Sequence, residues 1–383
     1  MIFICLFIAA IPFIYYLIAI YSSWRFFVES RRKRAVSPNF TPPVSNLKPV
    51  KGTDPDAYDN FASFCRQDYP DYELVFCVDG EDAPVMDAIN RLKRDFPERS
   101  IRVLFGSDRE AANDKAAKLA RLVREARHEI LVISDSDVRA RPDYLKSVVG
   151  PLADPEVGAV TVPYVSTGET TLADSLQSVG MLSDFYAGIF VARQLDGVKF
   201  ALGPTIATTR SQLGHFGGYD AILNRPGDDL LIGRLIAEQG YRVELLSYTI
   251  ETVADFGSLA ELVQKRLRWI VVMRHMRPGG HLGLLLTYGL VWSVIAAAVA
   301  PSVAIGAAYL GLYLALRVLL TMVIGSYGLR QPSALKNIAL IPVWDAIAFA
   351  LWLISFTRRS VRWRGSNYYI RGGQLVPVAT ADE

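Results

Sequence analysis

Apolar residues run almost unbroken from Met1 to Trp24, and Arg25, Arg31, Arg32, Lys33 and Arg34 follow at once. At about 1.5 Å per helical residue such a run crosses a hydrocarbon core. The trailing cations put the next part of the chain on the cytoplasmic side. A signal peptide would carry positive charge ahead of the apolar run and a small-residue cleavage site behind it. Neither is present, so residues 1–24 are expected to form an uncleaved anchor. A second apolar block, Leu282 to Tyr327, suits two spans with Pro301 near the break. A third, Ile338 to Phe356, holds Pro342 and Asp345 and leads into Arg358, Arg359, Arg362 and Arg364. Three passes after a cytoplasmic domain would leave that basic tail outside, against the positive-inside rule. A re-entrant or interfacial helix at 338–356 would restore the parity.

Between these blocks the pattern alternates. Pro38, Pro42, Pro43 and Pro49 mark a linker running into a first strand. Short apolar runs predict strands at Val44–Val50, Glu73–Val78, Ile101–Phe105 and Glu129–Ser134. Amphipathic stretches predict helices at Asp56–Arg66, Val85–Asp95, Asp114–Ala126 and Pro142–Val149, the last with proline in its first turn. The order argues a doubly wound α/β sheet with ligands at the strand carboxyl ends. After residue 158 the pattern is mixed: a strand at Ala159–Pro163, a helix at Leu172–Gln194, and a strand pair at Phe200–Thr208 around Gly203-Pro204. A glycine-rich turn, Gly214 to Tyr219, and a helix at Asp228–Gln239 follow. No Gly-x-Gly-x-x-Gly follows the first strand and no Gly-Lys-Ser/Thr loop occurs, which argues against dinucleotide and P-loop sites. The expected division is anchor 1–24, basic juxtamembrane linker 25–43, catalytic domain 44–281, membrane helices 282–357 and basic tail 358–383.

Composition narrows the classes. Of 383 residues, 51% are hydrophobic, and the formal charge of +3 is too small to suggest nucleic acid. Cys5, Cys65 and Cys77 have no metal-ligand spacing and are expected as buried free thiols.

The chemistry is concentrated where Ile130-Leu131-Val132-Ile133 ends in Ser134-Asp135-Ser136-Asp137. A buried strand here delivers two carboxylates to a crevice. Mg²⁺ takes one or two carboxylates plus substrate phosphates, so the pair suits a diphosphate–metal site. Asp228 and Asp229 open a helix, where capping is the plain alternative to a chemical role. Asp54 and Asp56 repeat the Asp-x-Asp pattern without a buried strand before them and are read as helix-capping.

Several separated stretches then fall into one order: Leu47 to Pro55, Asp68-Tyr69-Pro70, Asn113-Asp114-Lys115, Asp135-Ser136-Asp137-Val138-Arg139, Gly217-Gly218, Gly227-Asp228-Asp229, Arg268-Trp269, and Trp363-Arg364-Gly365 with Arg371-Gly372-Gly373. Over almost the whole chain this resembles the ceramide glucosyltransferase family and its bacterial relatives that glycosylate hopanoids. The resemblance implies an α/β, GT-A Rossmann-like glycosyltransferase domain with an N-terminal transmembrane anchor and C-terminal membrane helices. It implies inverting transfer from UDP-glucose to a lipid hydroxyl, most simply ceramide; a hopanoid acceptor, or UDP-GlcNAc or UDP-glucuronate as donor, is the alternative. The partners would be a UDP-sugar, a lipid and the membrane, and the cofactor Mg²⁺ or Mn²⁺ on Asp137 and Asp135.

The same resemblance makes Asp229 the general base, with Asp228 beside it, and Arg268 and Trp269 part of the catalytic set. Arg268 and Lys265 would meet the diphosphate, and Trp269 would wall a pocket or pack at the membrane face. Lys115, before a helix start, is a candidate for the sugar-nucleotide pocket or else a solvated lysine of a capped helix. Lys48 and Gly52, at the end of the first strand, are candidates to approach the nucleobase. Two positions depart from the family pattern. Ala83 stands where an Asp usually precedes the proline, leaving Asp79 or Asp82 for the uridine contact. Lys265 fills the Gln/Arg slot, with Gln264 one residue too early. His215, in the glycine-rich turn, is read as a surface residue, and Val272 to Pro278 as an interfacial helix. A membrane scaffold or transporter is disfavoured because the conspicuous acids fall at strand and helix ends of a large polar domain, not within broken membrane helices.

Overall fold

The computed structural model describes residues 2–32, 40–54, 56–253, 256–363 and 366–378. Lys33, Arg34 and Pro38 of the linker, Pro55, and Arg364 and Gly365 of the tail motif lie outside these residues. The fold divides into two compact units: Ser30–Gly168 with Asp196–Asp255, and Met1–Glu29 with Glu169–Leu195 and Phe256–Glu383. The boundaries expected at 44 and 281 differ from this division, because residues 169–195 and 256–281 group with the apolar helices.

The first unit is α/β. Its strands are β1 (Val44–Pro49), β2 (Tyr72–Val78), β3 (Ser100–Phe105), β4 (Ile130–Ile133), β5 (Val138–Arg139), β6 (Val157–Thr161), β7 (Tyr164–Thr167), β8 (Ile206–Thr209), β9 (Arg242–Leu245) and β10 (Ile250–Val253). Seven form a mixed sheet in the order β3-β2-β1-β4-β8-β6-β9. β3, β2, β1 and β4 are parallel, and β8 runs antiparallel to both β4 and β6. A small second sheet orders β5-β10-β7. β1, β2 and β4 are buried at every position, as strands covered on both faces are. One buried acid in β2, Glu73, is fully compensated: Ser45 Oγ donates at 2.6 Å, Arg127 N at 2.8 Å and Arg102 Nη1 at 3.1 Å. Phe61 packs edge-on to Phe76 at 4.9 Å and Phe64 to Tyr144 at 5.6 Å, tying the Ala57–Cys65 helix into the core.

Several local expectations are corrected. Of the strand pair at 200–208 only β8 is a strand, preceded by a single Leu202–Thr205 bridge. Pro142 lies in the turn ahead of the Tyr144–Val149 helix, closed by Tyr144 N donating to Arg141 O at 3.0 Å, rather than inside its first turn. Asp56 does not cap its helix: its backbone is left-handed (φ +54°) and its carboxylate meets Arg139 Nη2 at 3.3 Å. Cys65 and Cys77 are buried free thiols, whereas Cys5 is only partly buried.

The second unit is helical. Among the described residues three helices are long and apolar enough to cross a membrane: Ile2–Arg32, Val303–Gly328 and Ile338–Thr357. A fourth candidate, Pro278–Thr287 with Gly289–Val299, is bent by 47°. The bent segment is this one, and 338–356, expected to be re-entrant or interfacial, holds a continuous helix, Ile341–Thr357. Pro342 sits in its first turn, where no helical hydrogen bond is lost. Asp345 is neutralised by the Arg317 guanidinium and accepts from Tyr313 Oη at 2.8 Å. The expected interfacial helix is the last part of an 18-residue helix, Leu259–Met276. There Arg274 donates to the Ser355 and Arg358 carbonyls at the end of the Ile341–Thr357 helix, a favourable place for a cation. The tail is not featureless: β11 (Ser360–Trp363), β12 (Ser366–Arg371) and β13 (Gln374–Pro377) form an antiparallel meander.

Candidate active site

The antiparallel course of β8 decides what meets the end of β4. Its entry loop, Leu202–Thr205, arrives at the edge where β4 releases Ser134-Asp135. Thr161 fixes that loop: its Oγ1 donates to Thr205 O at 2.8 Å and accepts from Leu202 N at 2.9 Å. Tyr144 Oη adds a bond to Thr205 Oγ1 at 3.1 Å. The Gly203 N–H, so held, donates to Asp229 Oδ2 at 2.9 Å, while Leu230 N donates to Asp229 Oδ1 at 2.8 Å.

Around that carboxylate lie Asp135, Asp228 and Lys115. Lys115 Nζ is 2.6 Å from Asp135 Oδ1 and 3.6 Å from Asp228 Oδ2. Lys115 thus faces carboxylates and is not a solvated lysine. Asn113 supplies the helix cap beneath it by accepting from Ala116 N at 3.1 Å. Burial alone would lower the Lys115 pKa, but Asp135, Asp228 and Asp229 outweigh it and raise it, so the ammonium stays charged. The Asp229 pKa is raised to about 6, by burial first and then by Asp228, against the pull of Lys115 and the Leu230 N–H. Two adjacent acids and one lysine make a site where one carboxylate titrates close to neutrality and is ionised above about pH 6.

Gly203, which the sequence marks only as part of a strand pair, fits closely against these side chains. A Cβ there would lie 3.1 Å from Asp229 Oδ2, 3.4 Å from Asp135 Oδ2 and 3.5 Å from Lys115 Nζ. Tyr219 is also at the site without a signal in the sequence. It is buried, and burial followed by the Asp228 charge raises its pKa, while Lys115 opposes.

Lys48 has a different position from the one expected. It is wholly buried, donates to Ser134 Oγ at 2.9 Å and to Asp135 O at 3.2 Å, and lies 3.4 Å over the Phe64 ring. Its ammonium therefore braces the Asp-Ser-Asp loop from below and does not face a nucleobase. Burial lowers its pKa to about 7, against Asp135, Asp137 and Asp54. Asp137 is fixed through its backbone, accepting from Val253 N at 3.2 Å.

Gly52, Asp79 and Asp82 share a cleft of about 270 Å³ with Gly80, Ala83 and Pro84. Gly52 sits at φ +69°, a conformation open to glycine. Asp79 pairs with Lys118, a lysine the sequence reading passed over. Lys118 is 1% exposed and also reaches Val50 O at 2.8 Å and Asp114 at 3.3 Å. Asp82 is exposed in the cleft. His215 is exposed and stacks on Tyr241 at 5.9 Å, as read.

Lys265, Arg268 and Trp269 stand on the Leu259–Met276 helix of the helical unit. Trp269 packs on Phe185 at 5.7 Å, with Lys265 Nζ 5.7 Å over its ring. Their neighbour Arg266 is buried, donates to Gln177 Oε1 at 2.8 Å and lies 4.6 Å over Trp344. It locks this helix to Leu172–Gly180 and Ile341–Thr357.

Comparison with known proteins adds four findings. The model of glycosyl transferase family 21 matches residues 4–376. Ceramide glucosyltransferase 1 of Caenorhabditis elegans is 23% identical over 301 residues, 75% of this chain and 62% of its own length. A ceramide glucosyltransferase of Komagataella phaffii is 30% identical over 140 residues, 34% of this chain and 28% of its own. The chain thus spans less than two thirds of the curated relatives it matches. Among solved structures, a mannosyltransferase from Pyrobaculum calidifontis in complex with GDP-Man and Mn²⁺ has a TM-score of 0.56 at 21% identity, covering 90% of this chain and 99% of its own. That likeness establishes the GT-A fold.

Proposed function

Since this chain belongs to glycosyl transferase family 21, we propose that it is a membrane-bound inverting glycosyltransferase moving glucose from UDP-glucose to a lipid hydroxyl, ceramide being the first choice. The observation that carries the reading is the Asp229 carboxylate, oriented by two backbone N–H groups beside Asp135, Asp228 and Lys115. Direct displacement at an anomeric carbon needs a base for the incoming hydroxyl and stabilisation of the departing diphosphate. Asp229 takes the proton from the lipid hydroxyl as its oxygen attacks. Its raised pKa suits that work near neutral pH. Gly203 and Leu230 aim the carboxylate, and Lys115 keeps the acids beside it from sharing a proton too tightly. Asp82, an exposed carboxylate in the cleft, accepts from the uracil N3–H, while Asp79 is taken up by Lys118. Lys265 and Arg268 keep the part that the family resemblance gives them, as cations for a diphosphate.

A divalent cation fits the donors present. Asp135 and Asp137 offer hard carboxylate oxygens, and among the described residues no three His, Cys, Asp or Glu are placed to hold a metal ion by themselves. That set leaves most of an octahedral shell to diphosphate and water, as Mg²⁺ and Mn²⁺ prefer. Bound there, the ion would neutralise charge on the leaving diphosphate. The Pyrobaculum mannosyltransferase, solved with GDP-Man and Mn²⁺, supports a nucleotide sugar and such an ion here. The α/β unit is assigned to the cytoplasm, where nucleotide sugars are made, in agreement with the cations that follow the anchor.

The test is a full-length preparation given radiolabelled UDP-glucose and a mixed lipid extract. A labelled lipid is expected, lost on chelation and restored by Mg²⁺ or Mn²⁺. Asp229→Asn should lower transfer by about 10²–10⁴-fold while UDP still binds. Normal turnover by that variant would remove Asp229 as the base. Transfer from UDP-GlcNAc or UDP-glucuronate, or to a hopanoid alone, would favour the second reading.

A further inference from the structure

The groups gathered around Asp229 come from three elements of the α/β unit. Asp135 follows β4, Asp228 opens the Asp228–Glu238 helix, and Lys115 stands in the first turn of the Asp114–Glu125 helix. Asn113 joins the last two. It is 1% exposed and every polar group it has is paired. Toward its own helix, its Oδ1 accepts from Ala116 N at 3.1 Å and its O from Ala117 N at 3.1 Å. Toward the segment that runs into Gly227-Asp228, its N–H donates to Leu223 O at 2.9 Å and its Nδ2 to Arg225 O at 3.0 Å. Lys115 is two residues beyond Asn113, and Asp228 three beyond Arg225.

The partners fix which way the amide points. Reversed, it would set Nδ2 against the Ala116 N–H and Oδ1 against the Arg225 carbonyl. An ordinary helix cap needs only an acceptor, which Ser, Thr and Asp supply about as well as Asn. Here the side chain must accept on one side and donate on the other, and of the usual cap residues only asparagine does both. The Arg109–Asp220 pair, at 2.8 Å, also spans the two segments, but its side chains are 51% and 36% exposed, where an ion pair contributes little. The buried amide is the stronger link, since a carbonyl left without its donor there is costly.

We propose that Asn113 is a positioning residue for glycosyl transfer: it ties the Lys115 helix to the segment entering Asp228 and so sets the Lys115 ammonium between Asp135 and Asp228. This rests on the reading of Asp229 as the base, because Lys115 acts on that carboxylate through its charge.

The experiment uses the full chain in detergent–lipid micelles, with transfer from UDP-glucose to ceramide and amide hydrogen exchange as separate readouts. Asn113→Ser keeps the cap and loses the donor to Arg225 O. It should leave exchange at Ala116 and Ala117 unchanged and speed it at Leu230 and Leu231, in the first turn of the Asp228 helix. Its kcat should fall about tenfold to a hundredfold, as misplacement of a charged group does, with the KM for UDP-glucose within about twofold. Asn113→Asp, also a good cap, should lose more than Asn113→Ser, because a second acceptor then faces the Arg225 carbonyl. In a Lys115→Met background, Asn113→Ser should change kcat by no more than about twofold, since coupled residues are not additive. A cap alone predicts that Asn113→Asp is silent, and that result would overturn the proposal. So would faster exchange at Leu230 and Leu231 with wild-type kcat, or an equal loss of kcat with and without Lys115. If wild type transfers and the substitutions are silent, only the role of Asn113 is refuted. If wild type labels no lipid, the proposed function is refuted and the positioning role with it.

Discussion

Gly203→Ala tests the site through one methyl group. The backbone at 203 is outside the left-handed region, so alanine adds no strain there. The new Cβ would stand 3.1 Å from Asp229 Oδ2, tighter than ordinary van der Waals contact, and close to Asp135 Oδ2 and Lys115 Nζ as well. Asp229 cannot swing freely, because Leu230 N holds its other oxygen at 2.8 Å. The carboxylate must move by a few tenths of an ångström, which lengthens the 2.9 Å bond from Gly203 N. A hydrogen bond to a charged group contributes about 1.5–3 kcal/mol, and about 1.4 kcal/mol corresponds to one pKa unit. The bond favours the ionised carboxylate. Weakening it raises the Asp229 pKa above about 6, by about half a unit to two units if half to all of the bond is lost. A base must be ionised to act, so the acid limb of the kcat profile should move to higher pH by that amount. Misplacement should lower the plateau by about tenfold to a hundredfold. The assay is transfer to ceramide between pH 5 and pH 9 (about the range that brackets a group tuned to neutrality), with UDP binding and thermal unfolding as controls. A folded variant with an unmoved acid limb and a kcat within about twofold of wild type would refute the reasoning.

Three further outcomes are expected. Lys115→Met removes the cation that lowers the Asp229 pKa, so its acid limb should also shift to higher pH, with a fall in kcat at pH 6 of about tenfold or more; a profile that keeps its shape would count against the Lys115 role. Asp82→Asn should raise the KM for UDP-glucose with little change in stability, whereas Asp79→Asn, which takes a half-exposed partner from buried Lys118, should cost about 1 kcal/mol in denaturant unfolding; the reverse pattern would exchange their roles. Asn367→Cys, exposed on β12, should be labelled only from the cytoplasmic face, because a re-entrant Pro278–Val299 leaves two passes after the α/β unit; labelling from the outer face alone would make that segment a full span.

Legibility followed how each element is stabilised. β1, β2 and β4 are continuous buried runs, and the pattern of apolar residues marks them within a residue or two. β5 has two residues and β7, β9 and β10 four each; such pieces exist through pairing and carry no period of their own. The tail meander was hidden in a basic composition. The bend at Tyr288 was missed because both sides of it are apolar. Asp135, Asp137 and Asp229 were visible as carboxylates at element ends. Lys118 was not, since a lysine on an amphipathic helix normally points to water, and only the fold brings Val50 O, Asp79 and Asp114 around it. Gly203 escaped notice for the same reason: its importance is a distance to side chains far away in the chain. Lys48 is marked by its place at the end of β1, but its burial beneath the Asp-Ser-Asp loop is a tertiary fact.

The placement of β8 has a consequence for how the protein is made. It lies inside the sheet between β4 and β6, yet it emerges about forty residues after β6 and β7, once the helical segment 169–195 has been synthesised. Until Ile206–Thr209 leaves the ribosome, β4 and β6 both present unpaired edges in the middle of a forming sheet. Such edges recruit other chains. A fragment ending before Ile206 should therefore aggregate instead of yielding a smaller stable domain. The nascent protein has to be shielded through that interval, and any chimera that delays β8 with a longer insertion should lower the yield of soluble or membrane-integrated product while leaving the finished fold unchanged.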